Sequence, residues 1–171
     1  MNGLIDRSIE TGRLTLVPLR ASHAEEMAAV LSDPDLYVFI GGEPPTETAL
    51  RARYERLAAG SPDPGVAWGN WVIRLKDEGC LTGTVQATVS GDTAEIAWVV
   101  GTPWQRRGIA REAASAMKDR LLTLGVRTVI AHIHPGHTAS AAVAGGIGLA
   151  PTDRWQDGEV RWEGLPVRKP F

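Results

Sequence analysis

A single cysteine, Cys80, stands in 171 residues, so no intramolecular disulfide is available and a reducing, cytoplasmic setting is expected. Cys80 itself reads as a small, half-buried strand residue. No apolar run approaches the roughly 18 residues of a membrane span, and the first residues lack the basic-then-apolar order of a signal segment, so no membrane partner is expected. A basic surplus is missing too: 18 Lys and Arg face 20 Asp and Glu, a formal net charge of -2, which argues against nucleic acid as a partner. Neither nucleotide fingerprint is spelled, because there is no G-x-x-x-x-G-K followed by Ser or Thr, and no G-x-G-x-x-G behind a strand. Serines and aspartates are scattered without a nucleophile elbow, so no Ser/His/Asp order can be chosen. Phe and Tyr are scarce at two each, whereas six Trp are expected to pack in the core and in hairpins.

What remains is an ordinary globule with 43% hydrophobic and 22% charged residues. Its length fits one domain, residues 1–171, able to bury roughly 70% of its unfolded surface. Residues 1–10 carry no period and read as a loose arm. Arg13 to Leu19 alternates as a first strand. Ser22 and Glu25 have capping-box spacing before Ala24, Met27, Ala28 and Leu31, a helix that Asp33-Pro34 ends. Thr46 to Ala59 reads as a second helix. Val66 to Leu75, Leu81 to Val89 and Ala94 to Val100 alternate as an antiparallel meander with turns at Lys76–Gly79 and Ser90–Asp92. From Gly108 to Leu124, Ala110, Ala113, Ala114, Met117, Leu121 and Leu124 line one helical face, with Gly125 at the expected C-cap. Thr128 to Ile133 is β-branched and apolar, a strand parallel to the one before that helix. Residues 138–147 suit a short helix weakened by Gly145, Gly146 and Gly148, each worth roughly 1 kcal/mol against alanine where it falls in the helix interior. Asp157-Gly158 then signals a hairpin.

The chain is organised around Gln105-Arg106-Arg107-Gly108-Ile109-Ala110-Arg111-Glu112, set between a strand and a helix. The first N–H groups of a helix have no internal partner and sit at the positive end of its dipole, which suits phosphate. Gly108 and the small Ala110 allow close approach, and Arg106, Arg107 and Arg111 add charge suited to a diphosphate. The plainer alternative is a helix start with a solvated arginine face. Together with the preceding AEIAWVVGTPW, this Q/R-x-x-G-x-G/A run resembles the acyl-CoA-binding motif of the GNAT acyltransferases, and its spelling is nearest their RimJ/RimL-like branch. The resemblance extends from about Thr11 to Trp162.

The resemblance implies an α/β (α+β) GNAT fold: a mixed, mostly antiparallel twisted sheet of about six to seven strands with about four helices, splayed at the acyl-CoA site. It implies acetyl-CoA as co-substrate, no metal, and an amine acceptor: a protein N-terminus or a small molecule. A non-catalytic acyl-CoA-binding module and an enzyme with a larger acyl donor are the alternatives. Gln105, Arg106, Arg107, Gly108, Ile109, Ala110 and Arg111 would hold the pyrophosphate, the Val100 backbone the pantetheine arm, and Trp98 N–H the acyl carbonyl. Glu95 is the candidate base, shares a strand face with Ala97 and Val99, and is otherwise a solvated or ion-paired residue. Tyr37, Phe39 and Glu43 fall in the segment that shapes the acceptor pocket in the family; the alternative makes the aromatics core and Glu43 solvated. His137 and Ser140 match an N-x-x-S segment, with His137 in place of Asn and Leu149 in place of a Phe. Ala144 stands where many relatives carry a tyrosine acid. His132, His134 and His137 invite a metal reading, but no carboxylate or cysteine neighbours them in sequence to complete a set. Relatives are often homodimers, and the hairpin with Trp155 and Trp162 is a candidate interface.

Overall fold

The computed structural model describes residue 5 and residues 7–164. Eight strands form one sheet in the order β1-β2-β3-β4-β5-β6-β8-β7. They are β1 Ile9–Glu10, β2 Leu14–Pro18, β3 Val66–Leu75, β4 Cys80–Ser90, β5 Thr93–Val100, β6 Thr128–Ile133, β7 Leu149–Gln156 and β8 Glu159–Gly164. Among the described residues four α-helices accompany them: α1 Ala24–Val30, α2 Glu47–Ala58, α3 Ile109–Thr123 and α4 Thr138–Gly146. The strand beyond the expected six to seven is β1. Within the stretch expected to be a loose arm, Ile9 and Glu10 pair with Leu16 and Thr15, and Ile5 is fully buried. Two residues are too few to show a period, so burial of Ile9 rather than pattern makes this strand. Residues 1–4, 6 and 165–171 of the expected domain lie outside the described residues.

Two apolar layers flank the sheet. On one face Leu14, Leu16, Trp71, Ile73, Val85, Ala87 and Ile96 pack with α3 and α4. The helix α3 contributes Ile109, Ala113, Ala114, Met117 and Leu121, all buried. Each large side chain among them contributes roughly 1.5–3 kcal/mol. On the other face Leu19, Val72 and Leu81 pack with Ala24, Met27 and Val30 of α1 and Leu50 and Tyr54 of α2. This second layer covers only the β2–β4 end and leaves Glu95 and Ala97 of β5 exposed. Among the described residues no helix is long and apolar enough to cross a membrane.

Helix ends follow local chemistry with one correction. Thr46 caps α2 by accepting from Ala49 N–H at 3.1 Å. The capping box expected from Ser22 and Glu25 does not form: residues Ala21–His23 make a 3-10 turn, and α1 starts at Ala24. Its entry is held instead by Arg20 N–H donating to His23 Nδ1 at 3.0 Å. Gly125, with φ of +99°, follows the C-cap of α3. In the β7–β8 turn, Asp157 and Gly158 adopt φ of +50° and +81°, the left-handed pair a two-residue hairpin requires.

Candidate functional site

β5 is antiparallel to β4 over its whole length, from Ser90↔Thr93 to Gly83↔Val100. To β6 it is parallel over three pairs only, Thr93↔Thr128 to Glu95↔Ile130. Beyond Glu95 the two strands part. The carbonyl of Asp92 accepts from Thr128 N–H at 3.1 Å, so by strand alternation the backbone groups of Ala94, Ile96, Trp98 and Val100 turn to the β6 side. Past the divergence the N–H groups of Trp98 and Val100 therefore face a gap rather than a neighbouring strand. The Val100 carbonyl accepts from Gln105 Nε2 at 3.0 Å.

Two features of β4 shape the end of β5 beyond the divergence. Thr82 is an extra residue against β3, where the register shifts between Ile73 and Arg74, and its buried hydroxyl donates to Ile73 O at 3.1 Å. Next to it, Gly83 lies so close to β5 that a Cβ would stand 2.1 Å from Val99 O. A bulge beside a glycine bends the strand pair and aims the end of β5 away from β6.

The gap opens into a cleft of about 520 Å³ whose lining includes Trp98, Val99, Val100, Gln105 and Arg106. Gly108, Ile109, Ala110 and Arg111 line it as well, with His137 and Ser140 across from them. The turn into α3 bends through left-handed φ at Arg106 (+62°) and Gly108 (+75°). The first helical bond of α3 is Glu112 N–H to Gly108 O, 3.1 Å, so the amides of Ile109, Ala110 and Arg111 have no partner within the helix and suit an anion. Arg111 extends over Gly146 of α4, where a Cβ would come within 3.0 Å of its Nε. Arg107 points elsewhere: its guanidinium meets Glu78 Oε1 at 3.0 Å, and this contact holds the Glu78 carboxyl below its usual range.

The acceptor-segment residues divide. Phe39 lines the cleft, stacking on His137 at 4.8 Å between ring centroids and tilted against His134 at 5.1 Å. Leu36 and Ile40 line it beside Phe39. The Tyr37 hydroxyl donates to Leu31 O at 2.8 Å, tying the segment back to α1, and burial raises its pKa. Glu43 is exposed outside the cleft. Burial, aided by the charge of His134, lowers the His137 pKa, which favours a neutral ring able to donate or accept one bond. The helix α4 runs on from His137, and Ala144 lies fully buried in the core rather than facing the cleft.

Glu95 lies outside the cleft lining, earlier along the face of β5 that Val99 presents at the cleft, and it and Ala97 are exposed there. Its Oε1 is 2.7 Å from His132 Nδ1. The three histidines do not converge, because His132 turns to Glu95 while His134 and His137 flank Phe39. Sequence reasoning missed the His132 partnership, the bulge at Thr82 and the role of Gly83; only the lone glycine inside an alternating strand hinted at the last. Trp155 is 61% exposed on the outer strand β7, whereas Trp162 packs against the core.

The description of the acetyltransferase (GNAT) domain matches residues 13–150. No curated protein matches the sequence. Among solved structures, a GNAT-family acetyltransferase from Bacillus anthracis is 23% identical, with 93% of this chain and 98% of that one covered and a TM-score of 0.77. A RimL ribosomal alpha-N-protein acetyltransferase in complex with coenzyme A is 14% identical, over 94% and 98% of the two chains, at 0.78. The microcin C7 self-immunity acetyltransferase in complex with acetyl-CoA and AMP is 15% identical, over 91% and 93%, at 0.76. These likenesses establish the fold.

Proposed function

Since the chain belongs to the GNAT acetyltransferase family, we propose that it is an N-acetyltransferase, moving an acetyl group from acetyl-CoA to a primary amine by direct attack. The observation that carries this reading is the parting of β5 from β6 directly above the open N-terminus of α3. The pyrophosphate would sit on the amides of Ile109, Ala110 and Arg111, with Arg106 and Arg111 adding charge and Gln105 bracing the turn. The Val100 amide would bind the pantetheine arm, and His137 and Ser140 would close its other side.

In the reaction the amine nitrogen attacks the thioester carbon, and Trp98 N–H stabilises the oxyanion that forms. The C–S bond then breaks and coenzyme A leaves as a thiolate, which its modest basicity allows. The proton on the amine passes through water to Glu95, reached from the open face of β5. Energetics favour an α-amino acceptor. Deprotonation at pH 7 costs roughly 1–1.5 kcal/mol for an α-amine and roughly 4.5 for a lysine side chain. A protein or peptide N-terminus therefore fits a base that works at one remove, in keeping with the RimJ/RimL-like spelling. Leu36, Phe39 and Ile40 would wall the acceptor side.

Thiol release from acetyl-CoA, run against peptides with different N-termini, polyamines and aminoglycosides, tests the reading. Release with one amine class, and a loss of about 100-fold in kcat/KM in Glu95→Gln, is the expected result. Coenzyme A binding without thiol release for any amine would establish a binding module instead, and turnover with only longer acyl-CoA would replace the donor.

A further inference from the structure

Away from the acyl-CoA cleft, the contact between Glu95 and His132 joins two residues 37 positions apart in sequence. The side chains differ in exposure, 9% for His132 against 47% for Glu95. An ionised carboxylate only accepts hydrogen bonds, so a 2.7 Å contact assigns the proton to His132 Nδ1. A bond to a charged acceptor at this length is among the stronger kinds.

The surrounding charges are disposed so that this bond is what holds Glu95. Arg161 lies across from His132 on β8, but its Nε sits 2.8 Å from Glu163 Oε1. Arg154 Nη1 approaches the same oxygen at 3.9 Å. Among the described residues, the one ion-pair partner of Glu95 is His132. An arginine in that place would engage both carboxylate oxygens and compete with an incoming proton. One imidazole N–H engages Oε1 alone, on a side chain that stays 47% exposed, so the carboxylate remains open to an incoming proton.

We propose that His132 is a positioning residue for the acetyl transfer: its Nδ1–H fixes Glu95 so that the carboxylate meets the water that carries the proton from the acceptor amine. This rests on the reading of Glu95 as base given above. The buried ring is the support and the exposed carboxylate the working group, because a carboxylate left free to rotate would spend much of its time out of line with the proton it takes.

The experiment compares wild type with His132→Ala, His132→Asn, Glu95→Gln and the double variant Glu95→Gln/His132→Ala, using acetyl-CoA and the best amine of the panel. In His132→Ala kcat falls by about tenfold or more while the KM for acetyl-CoA stays the same. The carboxamide N–H of His132→Asn stands where Nδ1–H stood, and this variant recovers most of the loss. In the Glu95→Gln background, removing His132 has no further effect. Full activity in His132→Ala, an additive loss in the double variant, or a His132→Asn no better than His132→Ala would each overturn the proposal. Failure of the underlying reading looks different: Glu95→Gln would be as active as wild type, or wild type would turn over no amine.

Discussion

Glu112 stands in the first turn of α3, where a negative charge is favoured by the dipole, yet its carboxylate reaches out of the helix to the turn between β1 and β2. Oε1 takes Arg13 Nε at 2.8 Å, and Oε2 takes the Thr11 hydroxyl at 2.6 Å and Arg13 N–H at 3.2 Å. Arg13 Nη1 then donates to Arg107 O at 2.8 Å, so one carboxylate braces the backbone of the turn into α3 through one arginine. Burial pushes the Glu112 carboxyl up, but the bonds from Thr11 and Arg13 outweigh it and leave the pKa below the usual value. The sign of the linkage follows. A carboxyl whose folded pKa is depressed contributes stability above its unfolded pKa of about 4.3, and loses it as pH falls through the folded value. Glu112→Gln should lower stability at pH 7 by about 1 kcal/mol, read as about 2–4 °C in Tm for a chain of this size. The gap between variant and wild type should close as pH falls from about 5 to about 3. A gap that stays constant over this range in thermal melts would show that the charge on Glu112 contributes nothing.

At the level of elements, what was legible in the sequence is what is local. The helix α3 was readable because its buried residues recur at 3.6-residue spacing, the turn into it because Gly108 abuts that helix, and the last hairpin because Asp-Gly carries its own backbone geometry. The strand β1, the entry to α1 and the pair Glu95–His132 were not, because each depends on a partner supplied by the tertiary fold. Periodicity predicted β4 and β5 and their pairing, but not that β5 parts company with β6 after three residue pairs. The diverged end of β5 lies against Thr82 and Gly83, and its geometry can be tested there. An alanine Cβ at position 83 would stand 2.1 Å from Val99 O and 2.9 Å from Val100 Cα, backbone atoms that no rotamer change can move aside. Gly83→Ala should therefore cost about 2 kcal/mol or more in urea unfolding. Because the strain falls on the stretch that would hold the pantetheine arm, coenzyme A affinity should fall too in variant molecules that remain folded. Wild-type stability in Gly83→Ala would show that β4 and β5 have room to separate, and the account of the divergence would fail.

On the scale of the whole molecule, the sheet is continuous but unevenly joined. The β3–β4 and β4–β5 pairs run the length of their strands, whereas β5 and β6, the seam between the two ends of the chain, share three residue pairs. A ligand lying in the opening past that seam would touch β5, α3 and the start of α4 together, so its binding energy would appear as stability of the whole fold rather than of one loop. For a ligand that binds only the folded chain, a concentration 100 times the Kd adds about 2.7 kcal/mol. With about 2–4 °C per kcal/mol for a domain of this size, coenzyme A should raise Tm by about 5–10 °C. Gly108 supplies the control. Its φ of +75° and its place at the head of α3 mean that Gly108→Asp sets a strained side chain and a negative charge against the proposed pyrophosphate position. The variant should melt below wild type without ligand and show almost no shift with it. A folded Gly108→Asp that gains the same shift as wild type would move the coenzyme A site away from the N-terminus of α3, and with it the roles proposed for Trp98 and Val100, since the cofactor would no longer reach the parting of the strands from that side.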